Sequence, residues 1–172
     1  MKIIEGMKKI KDLSVKAGDL REKVKRFCSD LTMETPTYPD QKQQVSDWIQ
    51  AHHDILKEIL NLRVAIQRTN IRTQVSIELD GKPVTKSIAA WIHRRRDLAT
   101  LEMNMWTALS DRGLKEQNVQ TSPGGAVTEV RIRRYFDPVQ RDKHHEMYRS
   151  EPLTIDAALE VVNATTELAE VE

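Results

Sequence analysis

Apolar residues near the start of the chain fall at Ile3, Met7, Ile10, Leu13, Ala17, Leu20, Val24, Phe27 and Leu31. Steps of three and four residues place them on one face of a long helix, predicted over 1–32. The prolines of "ETPTYPD" (34–40) stop it, because proline pushes its predecessor out of the helical region. A second run at Val45, Trp48, Ile49, His52, Ile55, Leu56, Ile59, Leu62, Arg63 and Ile66 predicts a helix over 40–69. Asn70 is the expected end, since asparagine tolerates the left-handed cap. The period then changes to two. In "TQVSIEL" (73–79), Val75, Ile77 and Leu79 share one side, and Asp80–Gly81 supplies a tight hairpin turn. "KPVTKS" returns as a short strand, so the hairpin covers about 73–86, with Pro83 at its edge.

Thr85 or Ser87 can cap a third helix over 86–111. Its stripe is Ile88, Trp91, Ile92, Leu98, Leu101, Met105, Trp106 and Leu109, with Gly113 just past its end. "QTSPGGA" (120–126) reads as a loop or hairpin tip. "VTEVRIRRYF" alternates and predicts a strand over 127–136, joined with the first hairpin in one β element. Asp137–Pro138 then starts a helical stretch. Ser150–Glu151–Pro152 restarts the pattern, and Ile155, Leu159, Val162 and Thr166 carry it to 168. The predicted fold is mainly α: long antiparallel helices in a bundle, with a small inserted antiparallel β element, in one domain over 1–172. Narrow apolar stripes on long helices suit a coiled-coil bundle and leave surface for self-association.

Composition narrows the classes. The chain has 172 residues, enough to fold without disulfide or metal. Charged residues make up 31% and aromatics 5%, which suits helices better than a β-sandwich. With 27 basic and 26 acidic residues, the net charge of +1 lacks the basic excess of a dedicated nucleic-acid binder. The single cysteine, Cys28, makes no intrachain disulfide and is expected to be a buried, inert thiol in a reducing compartment. Lysines interrupt the apolar residues of "MKIIEGMKKIKDL", so no secretory signal is expected. No apolar run reaches the length of a membrane helix. These observations predict a soluble cytoplasmic protein.

Candidate chemistry is sparse. His52–His53 and His144–His145 are adjacent pairs pointing about 100° apart on a helix, unsuited to chelation. Nucleophile-elbow, phosphate-loop and dinucleotide motifs are missing. The expected catalytic, cofactor-binding and metal-ligating sets are therefore empty. "AAWIHRRRDLATLE" (89–102) is the densest charge cluster. An unbroken helix running from Trp91 to Leu98 carries its stripe through Arg95. That phase predicts Arg95 buried against a carboxylate, Arg94 at the stripe's edge and Arg96 in solvent. The anchor and interface candidates are Arg95, Trp91, His52 and two Asn/Thr boxes, Asn70 with Thr73 and Asn163 with Thr166. The boxes cap helix ends, or the two ends meet in a polar junction. The competing reading sets Arg94, Arg96, Arg131, Arg133 and Tyr135 on single-stranded nucleic acid.

Three stretches, "LRVAIQRTNIRTQV", "LDGKPVTKSIAAWIHRRRDLATLE" and "IDAALEVVNATTEL", resemble the small bacterial proteins of the septicolysin family. The likeness spans most of the chain, which departs from it by a longer β region at 112–136. The resemblance implies a helical, oligomeric protein and no catalytic residues. The expected function is a non-enzymatic structural or interaction protein that forms a symmetric homo-oligomer, with a ring as one form. A nucleic-acid-associated module is the alternative. A membrane-active, pore-forming protein, as the family's name suggests, is the second.

Overall fold

The computed structural model of the protein describes residues 1–120 and 122–169. It is mainly helical, in the order α1 (Ile3–Phe27), α2 (Gln41–Arg72), β1 (Gln74–Leu79), β2 (Lys82–Ser87), α3 (Ile88–His93), a π-helical turn (Arg94–Leu98), α4 (Ala99–Thr107), β3 (Gln117–Gln120), β4 (Val127–Val130) and α5 (Pro138–Thr165). The chain divides into two compact units.

The first unit comprises Met1–Val75, Lys86–Ala89 and the chain from Leu159 onward. Here α1 and α2 pack on each other. α1 is shorter than the predicted 1–32, ending at Phe27, so Leu31 lies past the helix and is exposed. Cys28 is exposed as well, contrary to expectation, because it caps the end of α1 rather than lying on its packed face. The "PTYPD" loop is pinned by its aromatic ring. Tyr38 meets Phe27 and Trp48 edge-on at centroid distances of 5.5 and 5.4 Å. Asp40 then caps α2 by accepting from Gln43 N at 2.9 Å.

The chain after α5 is held beside the start of α1. Ile3 N donates to Thr166 O at 3.0 Å, and Leu168 N donates to Met1 O at 2.8 Å. Gly6 lies against this segment: a Cβ there would stand 2.8 Å from Leu168 Cδ1, so the leucine side chain would have to shift. Thr69, 3% exposed, completes the junction. Its hydroxyl donates to Ala65 O and accepts from Ala169 N, both at 2.8 Å.

The second unit comprises Ser76–Thr85 and Ala90–Ala158. The β1–β2 hairpin turns at Asp80 (φ 49°) and Gly81 (φ 72°), the left-handed pair its sequence predicts. Val75, Ile77 and Leu79 are its less exposed positions, as alternation requires. The prediction of one β element fails. β4 ends at Val130 rather than 136, and it pairs with β3 in register Gln117↔Val130 to Gln120↔Val127. β1–β2 and β3–β4 are separate two-stranded sheets. "QNVQ" carries no strand signal, because its one apolar residue, Val119, gives no alternation. α5 begins where predicted, with Asp137 Oδ1 accepting from Val139 N at 2.9 Å. Pro152 does not restart it. The helix continues past a residue with no N–H, because Glu151, Ile155 and Leu159 are all buried along its length.

Thr69→Val keeps the shape of the buried side chain and leaves Ala169 N–H without its acceptor. Urea unfolding is expected to show a loss of about 1–2 kcal/mol, whereas the exposed Thr165→Val should change stability by less than about 0.5 kcal/mol.

Candidate functional site

The arginine cluster is a π turn. Ala99 N donates to Arg94 O, five residues back, where an α-helix would use Arg95 O. One extra residue in the turn re-phases everything after it. Trp91 and Ala99 are fully buried, and Met103 and Trp106 follow half-buried on that side. Leu98, Leu101 and Met105, the stripe expected of a straight helix, are instead 44%, 60% and 70% exposed. The helix also stops at Thr107, short of the predicted 111.

Within this turn Arg94 and Arg95 meet successive carboxylates of α5. Arg94 is the deeper of the two. Its Nε and Nη2 donate to Glu151 Oε1 and Oε2 at 2.5 and 2.9 Å, a two-pronged fork. Glu151 is 4% exposed, Glu102 lies 3.6 Å from Arg94 Nη1, and the guanidinium sits 5.3 Å from the Tyr148 ring centroid. The hydrogen bond from Glu151 raises the Arg94 pKa above the ordinary guanidinium value, with burial opposing and the Glu151 and Glu102 charges assisting. Arg95 pairs with Asp156 in the open, its side chain 40% exposed. Arg96 is 63% exposed beside Asp97 and His93. The expectation of Arg95 as the buried anchor is therefore corrected to Arg94. A straight helix was the wrong template, and the carboxylate that decides the matter, Glu151, lay in a segment read as a helix break.

Around the same pair, His144 stacks on Trp106 at 4.3 Å and on Tyr148 at 6.4 Å between centroids. His144 Nδ1 is buried without a hydrogen-bond partner. The signal for this stack was the i, i+4 spacing of His144 and Tyr148. Further along the unit, Arg134 Nε and Nη2 grip Asp111 at 2.6 Å each. That hydrogen bonding holds the Asp111 carboxyl below the ordinary aspartate value, partial desolvation opposing and the charges of Arg134 and Arg141 assisting.

No known family model, curated protein or solved structure matches the chain. Function must be read from these residues.

The remaining candidates are distributed. Trp91 is core, at 0% exposure. His52 is half-buried and lines a small apolar cleft of about 190 Å³ with Leu20, Val24 and Ile49. Neither Asn70 nor Asn163 is left-handed, so the capping role expected of both is corrected: each lies inside its helix. α2 runs on to Arg72, and Thr73 is its extended C-cap, taking a hydrogen bond from Ile88 N on its carbonyl. Asn70 Oδ1 is buried and unpartnered. The two helix ends do approach one another, through Thr69 and Ala169 rather than through the asparagines. Thr166 contributes its backbone, accepting from Ile3 N.

Of the residues proposed for nucleic acid, Arg94 and Arg96 are engaged by carboxylates, and Arg131 pairs with Glu129 at 2.8 Å. Arg133 makes no ion pair among the described residues, and Tyr135 is 90% exposed. No group of three or more His, Cys, Asp or Glu able to hold a metal occurs among the described residues. No described helix is long and apolar enough to cross a membrane.

Two outcomes follow. Arg94→Ala strands a buried carboxylate and should destabilise by about 2–4 kcal/mol. Arg95→Ala should lose under about 1 kcal/mol and Arg96→Ala less still, read by chemical denaturation. The Asp111 carboxyl is depressed in the folded state, so its stabilising contribution is complete above the unfolded aspartate value. It is lost as pH falls through the lower, folded one. Arg134→Gln should bring Asp111 back toward the ordinary value in an NMR titration. An unmoved Asp111 would exclude the pair as the cause.

Proposed function

We propose that this chain is a non-enzymatic structural or interaction protein, a helical bundle that self-assembles into a symmetric homo-oligomer. The observation that carries the reading is the apolar surface α2 leaves uncovered. Ile49, Leu56 and Leu60 are 55%, 46% and 61% exposed. Spaced by seven and four, they lie within about 40° of one another around the helix. The packed face, with Trp48 and Ile59, is roughly a quarter turn away. α2 is thus apolar over a wider arc than one neighbouring helix covers, the pattern of a helix with a second partner. Ile4, Met7 and Val15 repeat it on α1, at 46%, 52% and 59%.

A second copy is the economical partner. A self-complementary stripe on identical chains closes by two-fold symmetry. The charge clusters support the same reading, because Arg94, Arg95, Arg96, Arg131 and Arg134 each have a carboxylate within 4 Å and retain little unmatched charge for a polyanion. The helical, oligomeric character implied by the septicolysin resemblance agrees.

Size-exclusion chromatography with light scattering should give a mass of two or more chains at micromolar concentration. Leu56→Glu combined with Leu60→Glu should move it to one chain with helical circular dichroism unchanged. A wild-type monomer at that concentration would sink the proposal.

A further inference from the structure

A groove of about 390 Å³ lies in the second unit, beyond α4. Its walls are the turn at 111–114 and the extended segment 132–136, and Leu109, Leu114, Ile132 and Phe136 give it an apolar floor. Its volume falls in the range of small-molecule sites. Three arginines line it, Arg112, Arg133 and Arg134, against one acidic residue, Asp111. Arg134 is held by Asp111. Arg112 and Arg133 make no ion pair among the described residues, so the groove carries an excess of positive charge. Nearby, Glu116 uses Oε1 to accept from Ile132 N at 3.3 Å, and Arg141 is engaged by Asp142.

Arg112 is the unexpected residue. Its φ is 55°, Gly113 follows at 72°, and Leu114 N donates to Asp111 O at 2.9 Å. This is a tight turn with both central residues left-handed, where asparagine or glycine is favoured at the first position and arginine is strained. Asn would close the same turn with less strain. Strained backbone of this kind clusters at ligand clamps and switch regions, and the Arg112 side chain makes no hydrogen bond or ion pair among the described residues. Beside it, Tyr135 is 90% exposed, a flat ring at the rim of a cationic groove.

We propose that this groove binds a phosphate ester carrying a planar ring, the chemistry shared by a free mononucleotide and a unit of a single strand. The forks of Arg112 and Arg133 take the phosphate oxygens, and Tyr135 stacks on the ring. The site gathers Arg133 and Tyr135 with a partner, Arg112, that sequence spacing did not single out. It is independent of self-assembly through α2.

The test is calorimetric titration of the full chain at low salt with AMP, adenosine, inorganic phosphate and oligo(dT). AMP should bind at least about tenfold more tightly than adenosine, which lacks the charge. Arg112→Asn should weaken AMP by about tenfold or more while raising the thermal unfolding midpoint, a combination a purely structural arginine cannot give. Arg133→Gln should weaken AMP similarly, and Tyr135→Ser should weaken AMP while sparing phosphate. If oligo(dT) exceeds AMP with a steep salt dependence, the source is a strand; if AMP matches or exceeds it, a free nucleotide. No AMP binding at millimolar concentration, or Arg112→Asn and Arg133→Gln binding as the wild type does, would overturn the proposal. The Leu56→Glu, Leu60→Glu chain should bind AMP unchanged, keeping this result separate from the oligomer's.

Discussion

Glu151 is 4% exposed, and a carboxylate at that depth needs a partner. Arg94 meets it with two donors, and much of the second unit follows from that meeting. At Arg94 the helix after β2 also opens by one residue. The opening turns Ala99 and Trp106 inward and brings Trp106 onto His144, one turn before Tyr148 on α5. Arg94 in turn lies over Tyr148. A buried pair of this kind contributes little net stability, because desolvation offsets attraction. Removing one partner, however, leaves the other's charge stranded.

The first unit is organised differently. α1 and α2 are long and pack on each other, with Lys9 of α1 paired to Glu58 of α2, and the chain after α5 joins them through backbone groups and one hydroxyl. Residues 166–169 lie across the start of α1 and end at the Thr69 hydroxyl on α2. The Leu168 side chain packs against Gly6. Exposed apolar residues remain among the charged ones on both helices, Ile4, Met7 and Val15 on α1 and Ile49, Leu56 and Leu60 on α2.

Much of this was legible. Helix periods, the loop prolines, the Asp80–Gly81 turn and the Asp137–Pro138 start are local signals, and local physics decides them. What failed was every inference that carried a local phase across a long-range contact. The stripe predicted through Arg95, Leu98, Leu101 and Met105 assumed an uninterrupted α-helix. Nothing in "RRRDL" announces a π turn, and the carboxylate that Arg94 meets there, Glu151, lies 57 residues away. Pro152 looked like a break, though packing on either side holds the helix through it. The Asn/Thr boxes pointed to the right place for the wrong reason: the junction runs through Thr69, hidden one residue before Asn70. β3 was invisible because its strand is polar. The groove was half visible, in Arg133 and Tyr135. Arg112 drew no attention because only its backbone angle sets it apart.

The most direct test of this account is a double-mutant cycle on Arg94 and Glu151, using Arg94→Met and Glu151→Leu singly and together, followed by urea denaturation. The account predicts a large penalty for Arg94→Met alone and a double variant recovering most of it, with a coupling of about 2–3 kcal/mol, because the apolar pair strands no charge. Two single effects that simply add, with coupling below about 0.5 kcal/mol, would show that the arginine and the glutamate do not depend on one another, and the central constraint would be lost.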